Sequence, residues 1–104
     1  MIEHEVKFHI GQIIEHNKFG YRGVIYDVDA QFSGTNNWYE TVAKSKPPKD
    51  APWYHVLVDG SLDTTYVAER HIQATQNHSE VNHPLIEVYF SSFKQGRYIL
   101  PSKQ

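Results

Sequence analysis

Residues 51–60, APWYHVLVDG, decide how the chain is read. Between a proline-marked entry at Pro52 and a turn at Asp59 and Gly60, apolar and aromatic side chains alternate as on a strand. Tyr54, Val56 and Val58 share one face, and Trp53, His55 and Leu57 share the other. Packing is expected from Tyr54, Val56 and Val58, which leaves Trp53 and His55 as the exposed or subunit-facing side chains. The alternation alone is equally compatible with the reverse. GSLD, 60–63, can turn the chain, and TTYVAER, 64–70, runs back to complete a hairpin.

The same reading extends upstream. In EVKFHIGQIIEHN, 5–17, Val6, Phe8 and Ile10 fall on one strand face and Lys7 and His9 on the other. Gly11 allows a bend, after which Ile13 and Ile14 point to opposite sides. NKFG, 17–20, reads as a turn into YRGVIYDVD, 21–29. Strict alternation there puts Val24, Tyr26 and Val28 on one side and Gly23, Ile25 and Asp27 on the other.

From Ala30 to Ala51 the pattern fails. QFSGTNN is turn chemistry, WYETVAK is ambiguous, and SKPPKDAP carries Pro47, Pro48 and Pro52. The expectation is a connection of about 20 residues, long enough to suggest a functional role, with Trp38 pinning it to the body. Downstream, Leu85, Ile86, Tyr89, Phe90 and Phe93 recur at three- and four-residue spacing after Pro84 and before Gly96. This predicts an amphipathic helix from Pro84 to Gln95 that buries Leu85, Ile86, Tyr89 and Phe90. The whole reads as a mainly β fold: a small SH3-like β-barrel or half-barrel with one C-terminal α-helix, forming one domain over residues 1–104.

Composition narrows the function. The 104 residues are 39% hydrophobic, 13% aromatic and 21% charged, which is globular rather than disordered. With no cysteine, disulfides and thiolate metal sites are excluded. No apolar run approaches the roughly 18 residues of a membrane span, and MIEHEVKFHI lacks signal-peptide order. A cytoplasmic protein without a membrane partner is expected. Ten Lys and Arg against 12 Asp and Glu leave a net charge of −2, which argues against nucleic-acid binding by global charge. Local patches remain: Lys44, Lys46 and Lys49 lie close together, Lys18 and Arg22 flank the first turn, and Arg70 ends the returning strand.

The seven histidines, His4, His9, His16, His55, His71, His78 and His83, show no H-x3-H spacing, and neither a metal nor another cofactor is expected. There is no G-x-S-x-G elbow, cysteine nucleophile or H-E-x-x-H, so Trp53, Tyr54 and His55 have no partner with which to catalyse. The expectation is no enzyme and no catalytic residue. For nucleic acid, Lys18, Arg22, Lys44, Lys46, Lys49 and Arg70 are the candidate phosphate contacts, while Trp38, Trp53 and His55 are the candidate interaction surface.

HIGQIIEHNKFGYRGVIYDVD, APWYHVLVDG, TTYVAER and HPLIEVYFSSFKQGRYILP occur in that order, with Trp38 between the first two. Together they closely resemble the YccV-like hemimethylated-DNA-binding family over residues 6–101. Its members include heat-shock proteins of the HspQ type, and the domain is also fused to some eukaryotic F-box proteins. The resemblance implies an SH3-like barrel, a cytoplasmic location, no enzymatic reaction and binding of hemimethylated DNA. For HspQ-type members it further implies a role in heat shock and regulated proteolysis, including turnover of the replication initiator and modulation of a Lon-type protease, and a homo-oligomer, a trimer. Members of that type commonly end in a more polar, acidic tail, whereas this chain carries the HPLIEVYFSSFKQGRYILP ending seen in other YccV-like domains, so the protease role transfers less directly than the fold.

Two functions from different classes therefore follow. One is a DNA-binding module that uses a local basic edge. The other is an adaptor that contacts a protease or its substrates. RNA binding by the same small β architecture is a third reading. Salt dependence separates the nucleic-acid readings from the adaptor.

Overall fold

A computed structural model describes residues 6–102; His4 lies outside them. Strand β1 (Ile13–His16) turns into β2 (Arg22–Asp29), and after a connection come β3 (Trp53–Val58), β4 (Thr64–Ala68) and β5 (Ile72–Ala74). These form one antiparallel sheet in the order β4-β3-β2-β1-β5. Both expected hairpins are present. Residues 6–10 are not a strand, yet Val6, Phe8 and Ile10 do pack together against the sheet.

The expected barrel does not close: β4 and β5 are the two edges and are not paired with each other. A 3-10 turn (Glu69–His71) joins them, and the Tyr21 hydroxyl spans the opening to Thr65 Oγ1 at 2.8 Å.

Both faces of the sheet are covered. On the Tyr54 face, Ile14, Ile25, Tyr54, Val56, Val67 and Ile72 form a buried cluster. On the Trp53 face, Ile13, Val24 and Leu57 meet Val81, Phe90 and Tyr98 from the C-terminal segment, while Trp53 and Ala68 meet Tyr39. The double coverage explains why Trp53 is only 1% exposed, which corrects its expected place on the surface. Its indole Nε1 donates to Pro48 O at 3.0 Å, so the polar tip is satisfied where the ring is buried.

Alternation along β2 is broken. Ile25 pairs with Val56 and Asp27 with His55, leaving Tyr26 as the extra residue of a β-bulge. Val24 therefore packs on the Trp53 face while Val28 packs on the Tyr54 face, against the expectation that they share a side. Without the bulge, period-two geometry would carry Asp27 and Asp29 into the apolar Tyr54 face. With it, both lie on the face of His55 and Trp53.

The long connection is not structureless. Thr35 caps α1 (Asn36–Val42), its hydroxyl accepting from Trp38 N at 3.0 Å. The prolines act afterwards, where Pro47 O accepts from the Tyr39 hydroxyl at 2.6 Å.

The C-terminal helix is much shorter than expected. Only α2 (Ile86–Tyr89) is helical; Phe90 is extended, and β6 (Ser92–Lys94) and β7 (Arg97–Ile99) form a hairpin. Two serines and a run of aromatics favour this outcome over a long helix. Gln95 and Gly96, with φ 52° and 76°, supply the tight turn between the strands, so Gly96 marks a hairpin rather than a helix stop. Phe90 is buried nonetheless, against Tyr98.

Candidate nucleic-acid interface

A cleft of about 650 Å³ follows β4, all five residues of which line it. On the Tyr54 side it is bounded by His16, Lys18, Phe19 and Tyr21, and on the Trp53 side by Trp38, His55 and the end of α1. Phe19 is 70% exposed and Val42 53% exposed at its margin, two large apolar side chains offered to solvent at one site.

The cationic margin is assembled from three separated segments. His16 and His71 stack with centroids 5.5 Å apart, and His71 Nε2 reaches Ser45 Oγ at 2.9 Å. Arg70 Nη2 donates to Ser45 O at 2.7 Å. These contacts draw Lys18, Lys44 and Arg70 around the paired imidazoles. Burial, then the neighbouring His71 and Lys18, hold the His16 pKa below its ordinary value. Burial, then Arg70 and Lys18, do the same for His71. His16 is also structural: its Nδ1 accepts from the amides of Lys18 and Phe19, both at 3.1 Å.

The six cationic candidates do not share one role. Lys18 and Lys44 line the cleft and make no ion pair among the described residues. Lys46 pairs with Glu40 at 2.7 Å. Lys49 donates to Asn36 Oδ1 and stands 4.3 Å from the centre of the Tyr39 ring. Arg22 is an internal clamp, 14% exposed at the side chain: it pairs with Asp59 at 2.9 Å and donates to the carbonyls of Asn77, Ser79 and Glu80. Both of its terminal nitrogens are thus engaged within the chain, unlike those of the exposed Lys18 and Lys44.

At the Trp53 side, Asp29 accepts from the Tyr66 hydroxyl at 2.7 Å and lies 3.0 Å from His55 Nε2. Burial alone would raise the Asp29 pKa, but the hydrogen bonds from Tyr66 and His55 outweigh it and the carboxyl is held low. Burial, then the hydrogen bond to Asp29, pushes the Tyr66 phenol well above its ordinary value. Asp27, Asp29 and His55 each offer a ligand atom within 4.8 Å of one another, the one such set among the described residues. Tyr66 and His55 already satisfy Asp29, and Asp27 Oδ1 accepts from Val28 N. Sequence spacing could not reveal this set, because it depends on the bulge at Tyr26. Tyr66 and Phe19 were likewise absent from the expected surface; the signal available for Phe19 was a large apolar residue inside a polar turn.

A small antiparallel-β fold, an aromatic and apolar cleft and a gathered set of cations define a binding module. Residues 6–97 match the sequence model of the family described as hemimethylated DNA-binding protein YccV like, and the chain belongs to this family. The family is one of DNA-binding domains. No helix among the described residues is long and apolar enough to cross a membrane.

Proposed function

We propose that the protein binds hemimethylated DNA, without catalysing a reaction, through the cleft margin formed by Lys18, Lys44 and Arg70. The observation that carries this reading is the convergence of Lys18 and Lys44, from two separated segments, on an apolar cleft, with Arg70 held beside it through Ser45. Phosphate contacts position a protein on a duplex, whereas a methyl group is read by apolar contact at the base edge. Lys18 and Lys44 suit the first task, and Phe19 and Val42 the second. Lys46 and Lys49 contribute after exchanging their present partners, and Trp38 and His55 supply the adjoining wall. A net charge of −2 keeps the affinity of one chain modest. A homo-oligomer, a trimer by family resemblance, gains avidity by presenting several such margins. This activity places the protein at the cytoplasmic nucleoid.

The test is fluorescence anisotropy with matched unmethylated, hemimethylated and fully methylated duplexes across a salt series. The reading requires preference for the hemimethylated duplex and affinity that falls as salt rises. Equal or absent binding to all three at low salt rejects it.

A second reading, a heat-shock-related adaptor that alters the specificity of a Lon-type protease, draws on the solvent-exposed Phe19 and Val42 and the absence of a net positive charge. A degradation assay with purified protease tests it: substrate turnover should respond to the protein and lose that response in Phe19→Ser.

A further inference from the structure

The hydrogen-bond register of β4 separates its main-chain groups into two sets. Asp63 O accepts from Val58 N, and Glu69 N donates to Pro52 O, so the intervening ladder to β3 uses Thr65 and Val67. The N–H and C=O groups of Thr64, Tyr66 and Ala68 point the other way, to the sheet edge, which is exposed at Thr64, half-buried at Tyr66 and covered at Ala68. None of them has a hydrogen-bond partner among the described residues. Natural sheets usually blunt such an edge with a bulge, a proline or a covering loop. Here β4 is regularly paired, contains no proline and opens directly into the cleft.

We propose that this edge is a docking site for an extended peptide segment of a partner protein, which adds to the sheet as a strand beside β4. The accessible main-chain donors and acceptors of Thr64 and Tyr66 are the complement of another extended backbone. Side chains of the added strand would alternate between two apolar regions, one by Phe19 and Tyr21 and the other by Trp38 and Tyr66. Lys18 and Lys44 call for an acidic residue flanking that segment. A second copy offering its own β4 would bring a further Lys18 and Lys44 to the same edge, adding like charge rather than its complement. The proposal goes beyond duplex binding and shares with the adaptor reading only the class of partner. The degradation assay tests that reading separately.

The experiment is amide hydrogen exchange by NMR on the full chain, with and without the blocked peptide Ac-Asp-Val-Thr-Val-Thr-Val-Asp-NH2. The expected result is that exchange at Thr64 and Tyr66 slows by roughly tenfold or more, while Thr65 and Val67, already bonded to β3, change little. The same peptide N-methylated at alternate residues should give no protection. Thr64→Pro removes an outward N–H without touching the β3 ladder, and should weaken the peptide while leaving the thermal midpoint in place. If that variant fails to fold, the N-methylated peptide still decides. Absence of binding at millimolar peptide, or binding that leaves the Thr64 and Tyr66 amides unprotected, overturns the proposal. So does protection already present in a peptide-free dimer, which would assign the edge to a second copy, or protection of the same amides by duplex DNA alone.

Discussion

His16 and His71 lie face to face, their ring planes 8° from parallel, with His16 Nδ1 accepting from the two amides that shape the β1–β2 turn. Protonating His16 replaces that acceptor with a donor and places a charge beside Lys18. Both imidazoles titrate below their ordinary value of 6.5 in the folded chain. The unfolded chain then binds more protons as pH falls, so the stability held by the pair is fully present above pH 6.5 and is lost as pH drops through the folded values. Urea titrations at pH 8, 7, 6 and 5 should show the midpoint falling at the acid end. His16→Asn, whose Oδ1 can accept from the same amides, should flatten that fall; an unchanged pH profile in this variant would reject the assignment.

Arg22 and Lys18 sit near the same turn yet should respond oppositely to substitution. Arg22→Gln breaks the clamp on Asp59 and on three carbonyls, and hydrogen bonds to charged groups are worth about 1.5 to 3 kcal/mol each. A loss of at least about 2 kcal/mol in a denaturant titration is expected. Lys18→Glu should leave the same titration within about 0.5 kcal/mol, as surface changes usually do.

DNA affinity should follow the cleft margin. Lys18→Glu combined with Lys44→Glu should weaken duplex binding and reduce the slope of log affinity against log salt by about 1 to 2, as expected for two lost phosphate contacts. An unchanged slope would remove both lysines from the interface.

Phe90 is 4% exposed although its helix ends before it. Phe90→Ala should therefore still cost on the order of 3 to 5 kcal/mol. A loss below about 1 kcal/mol in reversible denaturation would contradict its burial.

Gly11 has φ +91°, and a Cβ there would collide with the Tyr98 carbonyl oxygen. It also bonds to Ile25 O through its amide and accepts from Tyr98 N, joining β2 to the C-terminal hairpin. Gly11→Ala should cost at least about 1 to 3 kcal/mol from backbone strain alone, read as a lowered denaturation midpoint.

What the sequence made legible was local. The β1–β2 and β3–β4 hairpins follow from alternation and turn residues, and the burial of Phe90 follows from its apolar neighbours. The extent of the C-terminal helix was not legible, because one helical turn followed by a hairpin spaces Leu85, Ile86, Tyr89, Phe90 and Phe93 much as a helix does. The burial of Trp53 depends on α1 covering a second sheet face, a long-range fact that strand periodicity does not carry. The cationic margin was half legible: Lys18 and Lys44 are exposed as expected for turn and loop lysines, but the Arg22 clamp depends on carbonyls more than 50 residues away.

The extra residue at Tyr26 makes β2 a strand in two phases. Substitution and deletion are therefore different kinds of change in this stretch. Replacing Tyr26 alters one side chain, whereas removing it would let Asp27 follow Ile25 directly, straightening the strand while keeping Asp27 and Asp29 on the His55 side and Val28 toward Tyr54, and would remove the ring that packs on Tyr89. The surface that presents His55 and Asp29 depends on register rather than on Tyr26 itself: pairing Tyr26 regularly opposite His55 would reverse every side chain after it, whereas the bulge absorbs the extra residue and leaves them in place.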